Sequence, residues 1–441
     1  MNEKKELYMK KIALFALVLV LSMSFVTGAG TKEAAKDGKV VLTAYMQIDP
    51  ANDQYAGHNA VMAAFAEKYP NIQLDIEYAS GEAFHQKFQS MAASKKIPDV
   101  FTCYGGARTA YVTETGLTLD ITPYLDDTFK SQFASATWLP QGSAGVLYMI
   151  PPSFAVCHSI YANTAILEKL GLSYPETFEE LVAQVPTIRA AGYYPMSMGN
   201  KDPWVVNSWL LGTFIERFGG REWILKAAKG EASFTDEPFV KALEVIQAMS
   251  KEGLFSPGVN QMSNTEADQE FYQQKSVYLI DAAWRTSAMD SQLPEAQRKA
   301  IDMRVFPALP GEKYHNTSSA VASEGFGIAK ALEKDQAKLD AALAFIKFYA
   351  GEEGASIRAK FGEVPSYNLD LNKFAVDVMQ GKFVEFSATY PMGYVFDSIM
   401  DGEGVNILNT DLQAMMMGSG NPKDIAAKYE AWVAKNDSNR D

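Results

Sequence analysis

Val40-Val41-Leu42-Thr43-Ala44-Tyr45 is a β-rich run, and the segments that follow it decide the fold class. From His58 to Tyr69, the residues Val61, Met62, Phe65 and Ala66 recur at helical spacing, and Pro70 closes the segment. Ile72 to Tyr78 alternates apolar with polar residues, as a half-buried strand does. Phe84 to Ala93 is helical again, and Asp99-Val100-Phe101 opens another short strand. Strand, helix, strand, helix, strand predicts an α/β fold whose mostly parallel sheet is covered by helices.

The theme continues outward with more helix. Tyr174-Pro175-Glu176-Thr177-Phe178-Glu179-Glu180-Leu181 reads as a helix start: Thr177 can cap free amides and Glu180 completes a capping box. Ser276-Val277-Tyr278-Leu279-Ile280 reads as a buried strand and Arg304-Val305-Phe306 as another. Leu339 to Tyr349 carries Ala342, Phe345, Ile346 and Tyr349 on one helical stripe. The tail from Gly404 to Trp432 is helical, broken at Gly418-Ser419-Gly420-Asn421-Pro422. There is no internal repeat and no low-complexity tract.

Ahead of this body stands a leader. Lys10 and Lys11 precede an apolar run from Ile12 to Leu21, and Thr27-Gly28-Ala29-Gly30 closes it with small residues. These are the three parts of a signal peptide. The run is shorter than the roughly 20 residues a span needs. The expectation is a signal peptide over 1–30, cleaved near Ala29 or Gly30, with a linker over 31–38; an uncleaved anchor is the alternative. Met9 also reads as a natural start, with residues 1–8 as an upstream extension. No cysteine lies near the exit to carry a lipid, which points to a soluble protein held in a periplasm.

At 441 residues the chain exceeds the usual size of a single core, so at least two lobes are expected. The net charge of −13 argues against nucleic acid or anionic membrane surfaces as partners. Cys103 and Cys157 are the only cysteines. Two buried thiols are the default, with a disulfide as the other reading.

Catalysis leaves no mark in the motifs. His58, His85, His158 and His315 are dispersed, without a metal-binding spacing. No nucleophile elbow, Walker A loop or dinucleotide fingerprint is present. No catalytic residue, metal or cofactor is expected. A glycosidase built from two distant carboxylates would be invisible here, which keeps a secreted glycan-active hydrolase as the rival from another class.

Several fragments, in order, resemble the extracellular solute-binding proteins of ABC importers, in the maltose-binding-protein branch. Ile97-Pro98-Asp99-Val100 is one. Gly116-Leu117-Thr118-Leu119-Asp120-Ile121-Thr122-Pro123-Tyr124-Leu125 is similar to the family's G-x-x-x-D-L-T-P-Y-L segment. Tyr161 to Leu172 follows its Y-Y-N … G-L pattern, with Ala162 in place of the second tyrosine. Pro175 to Leu181 resembles P-K-T-W-D-E-L with Phe178 for tryptophan, and Phe271 to Tyr278 resembles F-x-x-G-K-A-A-M with Gln274 for glycine and Tyr278 for methionine. Pro307 to Gly311, Gly325 to Ala329, Ala341 to Phe348 and Val364-Pro365-Ser366 complete a series spanning nearly the whole body.

The resemblance implies a two-lobed periplasmic-binding-protein fold, its ligand cleft lying between lobes joined by hinge crossings. One lobe would comprise 39–150 plus 309–364, the other 151–308 plus 365–437. Crossings are expected near Ile150 to Val156, Pro307 to Pro310 and Gly362 to Tyr367. It also implies a monomer that captures a sugar, an oligosaccharide first of all, and delivers it to ABC permease transmembrane subunits. A non-sugar solute and a sensor partner remain open.

Ligands of α/β sheets sit beyond the C-terminal ends of strands. Tyr45, Gln47 and Asp49 follow the first strand that way; the loop Tyr104-Gly105-Gly106-Ala107-Arg108 follows the strand ending at Phe101, with Tyr104 and Gly105 as its candidates and an ordinary strand-to-helix turn as the alternative. Trp204, in Asp202-Pro203-Trp204, aligns with a stacking aromatic of the family, whereas Trp209 reads as core. Trp284-Arg285 follows the strand over Val277 to Ile280, and the family stacks a tryptophan there. Arg285 either donates to ligand or neutralises Asp281. Glu324-Gly325 approaches the ligand by backbone or is a structural turn, and Tyr394 is a further aromatic candidate. Met415-Met416-Met417 reads as helix packing.

Overall fold

A computed structural model describes residues 38–436 except 52–54, 134, 139–140, 142–145, 157–158, 375–376, 391 and 401. The leader and most of the linker, the far end of the tail, and Cys157 lie outside the described residues, and so does the question of its pairing. Cys103 is a buried free thiol, which desolvation pushes up to about 12. No helix among the described residues is long and apolar enough to cross a membrane.

The body has two lobes, each with its own sheet. The first sheet has the order β10 (Gly325–Ile328), β3 (Val100–Cys103), β1 (Val40–Gln47), β2 (Ile72–Ala79). β2, β1 and β3 run parallel, and β10 is antiparallel to β3. Strand position explains the sequence patterns. β3 is central and buried at all four residues, so it is mostly apolar, and its one polar residue, Thr102, accepts from the Gln47 backbone amide. β2 is the edge strand, and its half-buried and exposed residues alternate. Helices Ala56–Lys68 and Gln336–Ala350 bring Phe65 and Phe345 into edge contact, 5.2 Å between rings, over this sheet. Each such buried side chain contributes about 1.5–3 kcal/mol.

The second sheet has the order β6 (Tyr194–Ser197), β7 (Ser276–Asp281), β5 (Ser159–Asn163), β8 (Ile301–Arg304). Its parallelism departs from expectation: β6 and β7 are parallel, but β5 runs antiparallel to both neighbours. The last strand ends at Arg304, so Val305 and Phe306 are buried beyond the ladder instead of within it. Thr177 caps the helix Phe178–Ala190 through the amide of Glu180 at 3.2 Å. Only half of the expected box forms there, because the Glu180 carboxylate accepts from the Glu176 amide instead. A complete box forms at Ser263 and Glu266, ahead of helix Asn264–Tyr272.

A small third sheet links the lobes: β4 (Phe154–Val156) pairs antiparallel with β9 (Ser318–Ala322), and β9 pairs parallel with β11 (Met392–Tyr394). β4 coincides with the first expected crossing. At the third, Pro365 bridges Ser153, and the Ser366 amide donates to the Pro152 carbonyl at 3.0 Å. The second crossing is not at Pro307 to Pro310. Leu309 lies in the second lobe's core and Ala308 pairs with Thr177, so that stretch stays inside this lobe. The passage is made by β9, and the chain joins the first core at Phe326 and Ile328. The first-lobe segment therefore starts after β9, not at residue 309.

Candidate ligand-binding site

The strands' C-terminal ends converge on a cavity of about 530 Å³ lined from both lobes. Pockets for small ligands occupy roughly 300–1,000 Å³. From the first lobe come Gln47 at the end of β1, Tyr104, Gly105 and Arg108 after β3, and Glu324 and Gly325 before β10. From the second come Asp202, Trp204, Ser208 and Trp209, then Trp284 and Arg285 after β7, and Asp397 after β11.

Three indoles form one wall. Trp204 and Trp209 meet edge to face at 6.0 Å, Trp209 and Trp284 lie 5.6 Å apart, and Trp204 and Trp284 lie 6.5 Å apart. Trp284 keeps 37% of its surface open, while Trp209 is fully buried. Trp209 sits on a π-helical stretch, Val206–Leu211, a geometry that recurs at functional sites because its wider turn splays neighbouring side chains. That stretch presents both Ser208 and Trp209 to the cavity. Trp209 is thus core, as its sequence position indicates, and cavity wall as well. Its indole N–H has no partner among the described residues.

The opposite wall is a polar network. The Tyr104 hydroxyl donates to Gln47 Oε1 at 2.8 Å, and the Gln47 amide donates to Thr102. Arg108 holds its guanidinium 5.1 Å from the Tyr104 ring and 5.4 Å from the Trp204 ring, bridging the lobes by cation–π contact. Its Nε donates to His85 Nε2 at 3.1 Å. Desolvation and that guanidinium lower the His85 pKa to about 3, so the ring stays neutral and accepts. His58 also lines the cavity and is neutral for the same first reason, its pKa lowered to about 4. Its Nδ1 meets the Tyr349 hydroxyl at 3.0 Å.

Carboxyl groups complete the lining. Asp397 accepts from Ser208 Oγ at 2.6 Å, and Glu363 pairs with Arg358 at 3.0 Å. Burial among protein atoms raises Glu324, Glu363 and Asp397 above the ordinary carboxyl range, although the Glu324 side chain still opens to the cleft. Gly325 has a structural reason: a Cβ there would lie 2.7 Å from the Ile150 carbonyl oxygen.

Of the residues singled out from sequence, Trp284, Trp204, Tyr104, Arg285, Gln47, Gly105, Glu324 and Gly325 line this one cavity. Three do not. Tyr45 is buried and stacked on Phe84 at 4.6 Å beneath the helix Gly81–Ala93, which covers its face of β1. Asp49 is exposed and turns back to accept from the Ala51 amide at 3.1 Å. Tyr394 packs against the second core, with the Arg221 guanidinium 4.9 Å from its ring. For Arg285 the structure takes the neutralising role: it pairs with Asp281 at 2.8 Å and with Asp268 at 2.9 Å. Asp397, Glu363 and Ser208 were missed, since isolated polar residues in turns carry no periodic signal; Arg108 closes the candidate loop Tyr104 to Arg108 but was not singled out from it. A second depression of about 420 Å³, at Tyr194, Gln269 and Lys275, offers a single aromatic ring among Gln, Glu and Lys side chains.

A two-lobed α/β body with an aromatic and polar cavity between the lobes defines a binding protein. Residues 50–356 match the family of bacterial extracellular solute-binding proteins, and the chain belongs to that family. The Melibiose/raffinose/stachyose-binding protein MelE of Bacillus subtilis (strain 168) is 22% identical over 438 residues, covering 94% of each chain. A solved chitin oligosaccharide binding protein superposes with a TM-score of 0.76 at 21% identity, over 90% of this chain and 98% of that one. A structure from a study of xylan utilization by Caldanaerobius polysaccharolyticus gives a TM-score of 0.77 at 20% identity, over 89% and 100%. These structural likenesses are likenesses of fold.

Proposed function

We propose that this protein is the periplasmic receptor of an ABC importer, and that it captures an oligosaccharide between its lobes for delivery to the transmembrane permease. The observation that carries the reading is that the Trp204–Trp209–Trp284 wall lines one cavity together with Gln47, Glu324 and Asp397. A sugar ring has apolar C–H faces and a rim of hydroxyls. Flat indoles remove the faces from water, and carboxyl or amide oxygens accept from the hydroxyls, so no polar group is buried unpaired. Relatives named for melibiose, raffinose, stachyose and chitin oligosaccharides support the choice of ligand.

The mechanism involves no covalent step. The ligand binds the closed arrangement better than the open one, and so draws the lobes together about β4, β9 and the Gly362 to Tyr367 passage. The closed form docks on the permease as a monomer and is reopened there. We set the lobe limits at about 39–150 with 323–364, and 151–317 with 365–436; the separate cores on either side of the linking sheet support this division.

A thermal scan against neutral oligosaccharides, peptides and polyols tests this, because a ligand selective for the native state raises Tm by mass action. A shift with at least one oligosaccharide, with the sugar recovered intact, is expected. Shifts confined to peptides or polyols would sink the sugar assignment, and release of hydrolysis products would favour the enzyme.

A further inference from the structure

The charges lining the cleft are unbalanced. Asp202, Glu324, Glu363 and Asp397 contribute four carboxyl groups, against the guanidinium groups of Arg108 and Arg285. Arg285 is held by Asp281 and Asp268, both buried, and Glu363 has its own partner in Arg358. Among the described residues, that leaves Asp202, Glu324 and Asp397 around a single cation, Arg108. This cation is already engaged: both rings lie within cation–π range of it and its Nε donates to His85.

Glu324 belongs to the first lobe and Asp397 to the second, so a guest enclosed between them meets a carboxyl from each side. The Arg108 charge reaches both, yet desolvation dominates each of them. A guest enclosed by the lobes displaces the water that now bathes Glu324, so a second anion carried on it would be poorly screened. Like charges juxtaposed in an interface are penalised well beyond the cost at an exposed surface. The net charge of −13 acts in the same direction at long range, slowing the approach of anions.

We propose that Glu324 and Asp397 make the cleft selective by charge: it takes uncharged oligosaccharides and rejects chains bearing uronate, sulfate or phosphate groups. The inference rests on the oligosaccharide reading and deepens it. Arg108, clamped between Tyr104 and Trp204, is a wall element and not an anion receptor.

Calorimetric titration of the full chain tests this with maltotriose, raffinose, galactotriose and chitotriose. Each sugar that binds is compared with its counterpart oxidised at C6, where a carboxylate replaces CH₂OH. The acidic sugar is expected to bind at least about a hundredfold more weakly, with the gap shrinking as salt is raised. In Glu324→Gln and Asp397→Asn, which keep side-chain shape, the gap narrows by about tenfold each. Equal or tighter binding of the acidic sugars overturns the selectivity while leaving the sugar reading intact. A gap that neither salt nor the two variants change is steric and overturns it too; should a variant fail to fold, the salt series on the wild-type chain decides. If no neutral sugar binds, the oligosaccharide reading itself fails and this inference goes with it.

Discussion

Gly106, in the turn after β3, lies against Ser398, just beyond β11: a Cβ built on Gly106 would overlap the Ser398 carbonyl oxygen and sit 2.7 Å from its carbon. The two residues belong to opposite lobes. Arg108 over Trp204 is another approach between the lobes at the cleft.

A side chain at 106 should therefore act as a doorstop. In Gly106→Val, oligosaccharide affinity is expected to fall about tenfold to a hundredfold, since the closed state becomes costly while the open state is spared. The positive φ of +71° adds a strain of about 1–3 kcal/mol in either state. Small-angle scattering separates the effects: the ligand-saturated variant should stay more expanded than the wild-type complex. Equal compaction and equal affinity would mean that this contact contributes nothing to closure.

Trp284 is the most open of the three indoles, so its removal should cost binding more than stability. Trp284→Ala is expected to weaken oligosaccharide binding by about tenfold to a hundredfold, from lost ring stacking and apolar burial. Ligand-free Tm should fall by only a few degrees. Trp209→Ala is the contrast, because Trp209 is fully buried in the second core. There a loss of about 3–5 kcal/mol in unfolding free energy is expected. Calorimetry and denaturant melts on the pair of variants check the division.

Arg285 illustrates why the same position can line a site without serving it. With Arg285→Ala, Asp281 and Asp268 would be left buried side by side with no counter-charge. Breaking a buried pair in this way costs about 3–5 kcal/mol. Denaturant melts should show that loss, and Arg285→Lys should restore only part of it, since one ammonium cannot match the two-sided fork. A direct ligand donor would show the reverse pattern, with weak binding and unchanged stability.

How much was legible in the sequence follows from where information is local. β2 was readable because burial on one face writes itself as an alternating run, and β1 because its β-rich residues are buried from Ala44 to Met46. The helix Gln336–Ala350 was readable through the stripe Ala342, Phe345, Ile346 and Tyr349, although burial spreads to Ala341, Leu343 and Phe348 as well. The second crossing was misplaced because Pro307 to Pro310 has turn chemistry, whereas a crossing is defined by the pairing of β9 with β4, more than 150 residues apart in the chain. Tyr45 was misassigned for a related reason. It shares a face of β1 with Gln47, and only the helix packed over that face hides one and leaves the other at the rim. Asp397 had no local signature at all.

The linking sheet carries a pH-sensitive contact that the sequence did not suggest. Glu216 is buried, one carboxyl oxygen has no partner among the described residues, and a Cβ on Gly393 of β11 would overlap that carboxylate. Desolvation pushes its pKa up to about 7, against the opposing pull of Arg221 and Arg217. Because the folded value lies above the unfolded one, the native state holds the extra proton. The associated stability is fully present below about pH 4.5, declines as pH rises, and is gone above about 7. Its size is at most about 3 kcal/mol, from 1.36 kcal/mol per unit. Glu216→Gln keeps the shape and removes the titration. Denaturant melts from pH 5 to pH 8 should thus find the variant gaining on the wild type up to about pH 7 and holding that margin above it, and a difference constant across the whole range would refute the assignment.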